Sequence, residues 1–447
     1  MGRDWRQRIP QPIKRRVRSV GRWVSYPVRL VLTSLFRRSV DALRALHVLP
    51  KPCVESDTLR LLIVHLTSRL GDTILVMPLI EALRAANPDA RIEFAVEEAA
   101  APLLRRLPQL DHVYALPLGQ EPPVTAWQIM GRSLRVIRCY WTFMRKAAPS
   151  VCLLPRWDND HYRSSLLAYL TGAPRRVGFS WKAVPGAERA PYRDSLLTNP
   201  IEGGDGMHET ARFCLLAARA GLVPEAAITQ ASSRVVPSLQ RIAGDENWPA
   251  LAERLGLEQG RRFAVISPGA SMPRRLWPTT NWAQVCAQLE AIGYRIVLLS
   301  GRSDKDIAER LYEESGRRSV LVAGKTTLLE SVAILQHASL FLGSDSGPGH
   351  VAGALGTPAV ILFATVNDHD RNGFSSPERI RPTGPSIACC CPPESLSPCE
   401  GTCHAPSAHC IALITPDVVM AGALAILRRE PIEGCVLNSS RACERPI

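Results

Sequence analysis

Three glycine-bearing stretches of this sequence carry side chains that could handle a phosphate ester or a proton. The first, Thr67-Ser68-Arg69-Leu70-Gly71-Asp72-Thr73, follows an apolar run and sets a carboxylate beside a glycine turn. Asp72 reads either as a carboxylate facing a ligand cleft or as a helix N-cap accepting backbone N–H bonds. The second, Gly343-Ser344-Asp345-Ser346-Gly347-Pro348-Gly349-His350, lies between the apolar run at Leu340 and the helical stretch from Val351 to Leu355. A phosphate is well held at such a place, because free N–H groups and the positive end of the helix dipole meet there. Pro348 has no N–H, so the donors would be Ser346, Gly347, Gly349 and His350. A tight turn capped by Asp345 is the competing reading. The third, from Pro268 to Pro278, places Arg274 and Arg275 beside Gly269. Guanidinium groups at the carboxyl edge of a sheet suit a diphosphate through charge-assisted, often bidentate bonds, and a solvated arginine pair is the alternative.

Two familiar nucleotide signatures are excluded. Gly324-Lys325-Thr326 imitates the end of a P-loop, but that motif needs glycine at position 319, where this chain has Ser319. No G-x-G-x-x-G follows the first strand, which argues against an NAD enzyme. Asp158-Asn159-Asp160 has the form of a D-x-D metal site. The preferred reading of Arg156, Trp157, Asp158 and Asp160 is an acceptor-facing loop after a strand, with Arg69 grouped alongside, and a plain surface loop as the alternative. Cys389, Cys390, Cys391, Cys399, Cys403 and Cys410 crowd one short segment with His404 and His409. Structural zinc on Cys391, Cys399, Cys403 and Cys410 competes with free thiols or an adventitious disulfide, since no tight pair of C-x-x-C motifs is present.

These residues need elements to hold them. Short apolar runs recur at Leu59 to Thr67, Arg91 to Val96, Val113 to Leu116, Val151 to Leu154 and Arg176 to Phe179. A second series runs Phe263 to Ser267, Arg295 to Ser300, Ser319 to Ala323, Leu340 to Gly343 and Ala359 to Phe363. Helical patterns separate them, among them Ile74, Leu75, Leu79, Ala82 and Leu83, with Pro78 kinking that helix or opening its regular part. The alternation predicts two α/β halves with mainly parallel sheets, joined near residue 250, where the pattern loosens between Ser232 and Gly260. A ligand cleft at the carboxyl ends of the strands is expected of such halves. Pro416 to Arg428 reads as a closing helix and residues 429–447 as loose.

With 447 residues, 46% hydrophobic and 21% charged, the chain has globular composition, and neither a disordered nor a disulfide-dense class fits. Thirteen cysteines, an odd count, suit a reducing compartment. The formal net charge of +13 is unevenly placed: residues 1–51 hold thirteen Lys and Arg against Asp4 and Asp41, a net of +11. Trp23, Tyr26, Leu32 and Phe36 are interleaved with Arg22, Arg29, Arg37 and Arg38, a mix that suits an anionic membrane surface better than nucleic acid. Arg29 breaks the apolar run, so the segment reads neither as a membrane span nor as a secretory signal, and a solvated extension is the alternative.

From about residue 60 to 428 the chain resembles glycosyltransferase family 9, the heptosyltransferase family of lipopolysaccharide core assembly. The resemblance is carried by SRLGDTILVMPLIEALR at 68–84, RRVGF at 175–179, PGASMPRRLWP at 268–278, AGKTTLLESVAIL at 323–335 and GSDSGPGHVAGALGTPAVILF at 343–363. It implies a GT-B fold: two Rossmann-like domains facing a central cleft, here at 57–240 for the acceptor and 260–430 for the nucleotide-sugar donor, after a basic extension at 1–56. It implies inversion at the anomeric carbon, no cofactor and no divalent metal. Asp72 then matches the family's catalytic base, and Arg275 falls where a donor-phosphate lysine is usual. Asp345, Ser346, Gly347, Gly349 and His350 match the donor loop, and Asp304 or Asp306 the acid that holds the nucleoside. The implied partners are a nucleotide sugar, ADP-heptose by family habit, a lipid-linked glycan and a membrane surface, with no nucleic acid. The implied location is cytoplasmic, at the inner face of the membrane. A catalytically silent sugar-nucleotide-binding protein tethering partners there is the rival reading.

Overall fold

The computed structural model describes residues 58–428, except Ser68, 120–125, Asn159, His161, 185–191, 232–234, Gln259, 367–372 and Phe374, together with Ser34, Arg38, Val436 and Leu437. The basic extension therefore lies outside the described residues apart from Ser34 and Arg38. The first sheet comprises β1 (Arg60–Val64), β2 (Arg91–Glu97), β3 (His112–Leu116), β4 (Val151–Leu154), β5 (Arg175–Phe179) and β6 (Asn199–Ile201), in the order β3-β2-β1-β4-β5-β6. The second comprises β7 (Phe263–Ser267), β8 (Arg295–Leu298), β9 (Val320–Leu321), β10 (Leu340–Ser344), β11 (Ala359–Leu362), β12 (Ile387–Cys390) and β13 (Val436–Leu437). Its order, β13-β12-β11-β10-β7-β8-β9, is the same winding with one strand more. Strands pair in parallel, with Ile63 opposite Phe94 and Leu153 in the first sheet and Val265 opposite Val297 and Phe341 in the second. Their central strands are apolar almost throughout because helices cover both faces, so alternation is lost and whole runs are buried.

In each sheet the strand order reverses once, between β1 and β4 and between β7 and β10. Ligands of doubly wound sheets bind outside the carboxyl ends of the strands at that point. The four loops that leave those strand ends are the ones with the candidate residues: Thr67 to Asp72 after β1, Arg156 to Asp160 after β4, Pro268 to Pro278 after β7, and Asp345 to His350 after β10.

The helices used below are α1 (Leu70–Leu75), α2 (Met77–Ala86), α3 (Ala126–Cys139), α4 (Ser164–Thr171), α5 (Glu209–Arg219), α6 (Pro237–Gly244), α7 (Trp248–Leu255), α8 (Lys305–Glu314), α9 (Gly347–Leu355) and α10 (Pro416–Leu427). Pro78 sits in the first turn of α2, where its missing N–H costs nothing, so it opens the regular helix and Val76 separates it from α1. The stretch that reads as loose around residue 250 holds α6 and α7. Each has eight residues and a proline in its first turn, and two turns are too short to leave a clear period in the sequence. Within residues 429–447, Val436 and Leu437 add β13 to the edge of the second sheet, beside Cys389 and Cys390.

By contacts the chain divides into two units. The first holds the described residues up to Leu66 with Asp89–Ala95 and Leu116–Gly203, and the second holds Thr67–Pro88, Val96–Ala115 and the described residues from Gly204 on. The segment with α1 and α2 thus belongs to the second unit. Among the described residues no helix is long and apolar enough to cross a membrane.

Candidate active site

Asp72 lies in the first turn of α1, whose N-cap is Arg69. The N-cap reading of Asp72 is therefore replaced by a carboxylate inside the helix opening, where the dipole favours negative charge. Thr67 sets the turn with one hydroxyl: Oγ1 accepts from the Arg69 amide at 3.1 Å and donates to Asp72 Oδ2 at 3.1 Å. Gly71 is required by a close neighbour. A Cβ there would stand 2.6 Å from His350 Cδ2, and one on Gly347 would stand 3.0 Å from Leu70 Cβ, so α1 and α9 meet through glycine on both sides.

The loop from β10 into α9 holds the densest electrostatics. Arg275 is buried, with Nη1 2.8 Å from Asp345 Oδ2 and Nη2 donating to Ser375 Oγ at 2.9 Å. His350 Nε2 lies 3.6 Å from Asp345 Oδ1. Burial pushes the Asp345 carboxyl up, but Arg275 and His350 outweigh it and hold the group below its ordinary value, with Asp72 opposing them. The solvated-arginine reading is thereby set aside for Arg275. The ion pair is close yet poorly aligned, and Asp345 Oδ2 has no hydrogen bond of good geometry. Ser344 Oγ, Ser346 Oγ and His350 Nδ1 are likewise buried without a hydrogen-bond partner. The three atoms on Ser344, Ser346 and His350, left so within seven residues, cost folding free energy, on the order of 1–3 kcal/mol each, unless a ligand satisfies them.

Of the four expected amide donors, those of Gly349 and His350 already point to Ser346 O, at 3.2 and 3.5 Å. The helix-opening donors are then Ser346 and Gly347. Asp304 is the N-cap residue of α8 and lies over the glycine turn after β7: a Cβ on Gly269 would be 2.6 Å from its Oδ2. Its pKa is raised by burial, with Ser303 acting against the shift. Asp306, in the first turn of α8, is exposed.

After β4 the geometry is different. Arg156 Nε pairs with Asp158 Oδ2 at 2.5 Å, and Arg193 donates to the carbonyls of Asp158 and Arg156. Asp160 accepts from the amide and the hydroxyl of Ser165 and so opens α4. Trp157, Asp158 and Asp160 are buried, the two carboxylates are occupied within the loop, and Arg156 lies over the Tyr162 ring at 4.8 Å. Asn159 lies outside the described residues. Arg69 is exposed.

Sequence reasoning placed Thr67 and Ser344 inside its motifs without giving either a role, and missed Ser375. A Thr two residues before an Arg carries no signal, and Ser375 is a hundred positions from its partner. It also missed a buried network in which Glu209 Oε2 accepts from Arg379 Nε at 2.8 Å and from Arg212 Nη1 at 3.0 Å. Beside it His208 accepts from the Thr210 amide and bonds the Arg381 carbonyl through Nε2, and burial lowers its pKa to about 4. Of the four cysteines expected to share a metal, the structure gathers Cys399, Cys403 and Cys410, with His409 as the fourth group in place of Cys391.

Two sheets wound alike, each with candidate residues on the loops at its switch point, define the GT-B fold class. The model of "Glycosyltransferase family 9 (heptosyltransferase)" matches residues 158–409, more than half of the chain. The chain belongs to that family and is a glycosyltransferase. It is 25% identical over 304 residues to lipopolysaccharide heptosyltransferase 3 of Escherichia coli, covering 67% of this chain and 82% of that one. Among solved structures it resembles a glycosyl transferase family 9 protein from Veillonella parvula, with a TM-score of 0.62 at 18% identity, covering 84% and 99% of the two chains. It also resembles the E. coli ADP-heptose lipopolysaccharide heptosyltransferase II, with a TM-score of 0.57 at 21% identity, covering 83% and 99%.

Proposed function

We propose that this protein moves a heptose from ADP-heptose to a lipopolysaccharide core or other lipid-linked glycan, with inversion and without a metal in the reaction. The observation that carries the reading is the set of unsatisfied buried polar atoms at Ser344, Ser346 and His350, gathered at a helix opening beside Arg275 and Asp72. A diphosphate offers acceptors to the Ser344 and Ser346 hydroxyls and the opening amides, beside the positive charge of Arg275. The donor sugar is taken from the relatives, one of which is the E. coli ADP-heptose lipopolysaccharide heptosyltransferase II.

In the proposed reaction Asp72 takes the proton of the acceptor hydroxyl as its oxygen bonds the anomeric carbon. The carbon–oxygen bond to the diphosphate breaks, and ADP leaves with the electron pair. Arg275 and the amides of Ser346 and Gly347 stabilise the charge that grows on the diphosphate. Asp345 acts as a positioning residue that aims Arg275 and His350. Asp304 holds the nucleoside above Gly269. Arg69 offers a cationic contact to an anionic acceptor, and in the other unit Trp157, Asp158 and Asp160 shape the loop that holds Arg156.

The membrane surface is the proposed partner of residues 1–51. A second surface supports it: α3 and the π-helical turn Tyr140–Met144 expose Met130, Leu134, Trp141 and Phe143 beside exposed Arg135, Arg138, Arg145 and Lys146. Apolar groups rimmed by cations are what an interfacial helix presents to acidic headgroups. The deciding experiment is turnover with a panel of nucleotide sugars and a short lipopolysaccharide-core acceptor. Transfer from ADP-heptose with release of ADP supports the reading. Nucleotide binding without turnover on any donor would leave a sugar-nucleotide-binding protein.

A further inference from the structure

The segment between β12 and α10 poses a packing question. From Cys391 to His409 the chain has no helix or strand, only isolated bridges that join Thr402 to Thr365 and to Glu400. A structureless stretch of that length inside a compact unit needs something else to hold it. Yet Cys399, Cys403 and Cys410 are buried within the hydrophobic core of the second sheet, with Leu396 and Ala405 packed against them. Burial of loose loop residues at that depth calls for a cross-link.

The side chains supply one. Cys399 Sγ lies 3.9 Å from Cys403 Sγ, too far for a disulfide, and these cysteines are free thiols. His409 Nδ1 lies 3.6 Å from Cys399 Sγ, 3.9 Å from Cys403 Sγ and 3.4 Å from Cys410 Sγ. All four atoms lie within 4.8 Å of one another. One imidazole nitrogen makes a single hydrogen bond in the ring plane, so at most one of the three sulfurs around Nδ1 can be bonded to it in that way. A common centre satisfies them together. With zinc–sulfur bonds near 2.3 Å and zinc–nitrogen bonds near 2.0 Å, a tetrahedron has sulfur–sulfur edges of about 3.8 Å and sulfur–nitrogen edges of about 3.5 Å. The four edges measured here fall around those values.

We propose that Cys399, Cys403, His409 and Cys410 bind one zinc ion that staples the loop between β12 and α10 to the core of the second unit. Three thiols lose their protons to solvent on binding, and His409 ligates through Nδ1 as the neutral imidazole. Four protein ligands close the coordination shell, which makes the site structural and leaves no position for water or substrate. The His404 amide, 3.5 Å from Cys399 Sγ, donates to the thiolate and steadies it. The Gly401 carbonyl accepts from the Val366 amide at 3.0 Å, so the staple also fixes the chain that leaves β11. Cys391 is not a ligand.

Metal analysis of the full-length protein, purified without chelator, should return one zinc per chain. Cys391→Ser should keep it, whereas Cys403→Ser and His409→Ala should lose most of it. If those variants fail to fold, wild-type protein stripped by a chelator and titrated with Co(II) supplies the second measurement. Visible absorption of tetrahedral thiolate-bound cobalt should rise to saturation at one equivalent, and zinc should abolish it. The stripped protein should also melt at a lower temperature, restored by zinc and not by magnesium. A metal-free protein that gives no cobalt spectrum would overturn the proposal, as would loss of metal from Cys391→Ser or a Cys399–Cys403 disulfide in the native protein. Equimolar iron in place of zinc would overturn the identity of the ion.

Discussion

Replacing Asp72 by Asn tests the proposed base with little structural disturbance. The two side chains have nearly the same volume, and the amide keeps an oxygen to accept the Thr67 hydroxyl now 3.1 Å from Oδ2. The helix opening loses one negative charge, worth about 0.3–1 kcal/mol at such a position. The folded protein should therefore survive with a slightly lower melting temperature. Chemistry should not. General-base catalysis contributes about a hundredfold to ten-thousandfold, so turnover should fall by at least a hundredfold, a barrier rise of about 3 kcal/mol or more. Donor affinity should behave oppositely: Asp72 opposes the ionisation of Asp345, and removing its charge relieves a repulsion that a diphosphate would also feel. ADP should bind as tightly as to wild type or slightly more tightly. Single-turnover rates with ADP-heptose, beside calorimetric titration of ADP, separate the two effects. Weakened ADP binding with an unchanged single-turnover rate would return Asp72 to a structural part in α1.

Arg275→Ala should destabilise the fold by about 3–5 kcal/mol, because it leaves the buried Asp345 carboxylate without its cation. Denaturation of Arg275→Ala, Asp345→Asn and the double variant should show the double as less damaged than the sum, and ADP binding should suffer more than adenosine binding. His208 gives a pH signature. Its folded pKa of about 4 lies below the ordinary value of 6.5, so the unfolded chain binds the extra proton first. Stability should be fully present above pH 6.5 and fall as pH drops toward 4, by up to about 1.4 kcal/mol per pH unit from this group, and His208→Gln should flatten that part of the curve. Deleting residues 1–51 should weaken binding to anionic vesicles and its salt sensitivity. Substituting Leu134 and Phe143 by Ser should remove part of the binding that salt does not, and unchanged flotation of both variants would refute the membrane reading.

What the sequence disclosed follows from the range of the interactions involved. Central strands were legible because a parallel strand covered on both faces is a plain apolar run, as in Phe263–Ser267 and Leu340–Ser344. Short edge elements were not: β6 reads Asn-Pro-Ile and β13 has two residues, so neither carries a period. The loops at Gly71, Gly269 and Gly347 were legible because glycine is required locally, by His350, Asp304 and Leu70 coming close. The partners themselves were not. Asp345 and Arg275 are seventy positions apart, and only the β7–β10 neighbourhood brings them together. The acidic pair after β4 was visible as polar residues, but its occupation by Arg156 and Ser165 is a matter of packing. The same limit separates Cys391 from His409. Spacing alone made four cysteines a set, and the fold of the loop chose three of them and a histidine.

The arrangement around Asp345 also resolves an apparent conflict in the proposed donor loop. A carboxylate at the mouth of a phosphate site should repel its ligand, and at 4 Å even an effective dielectric of 20 leaves about 4 kcal/mol of repulsion per charge pair. Here the carboxylate is buried, with Arg275 2.8 Å away on one oxygen and His350 3.6 Å away on the other. Its charge is therefore spent inward. What faces the helix opening is the guanidinium that Asp345 orients, the hydroxyl of Ser346 and the opening amides. A long, flexible lysine in place of Arg275 could reach a phosphate without such an anchor, whereas a planar guanidinium needs its orientation fixed to donate usefully. On this reading the Asp345–Arg275 pair is one unit. Arg275→Lys should therefore keep most of the charge and yet loosen donor binding, unless a second change frees Asp345 from its burial.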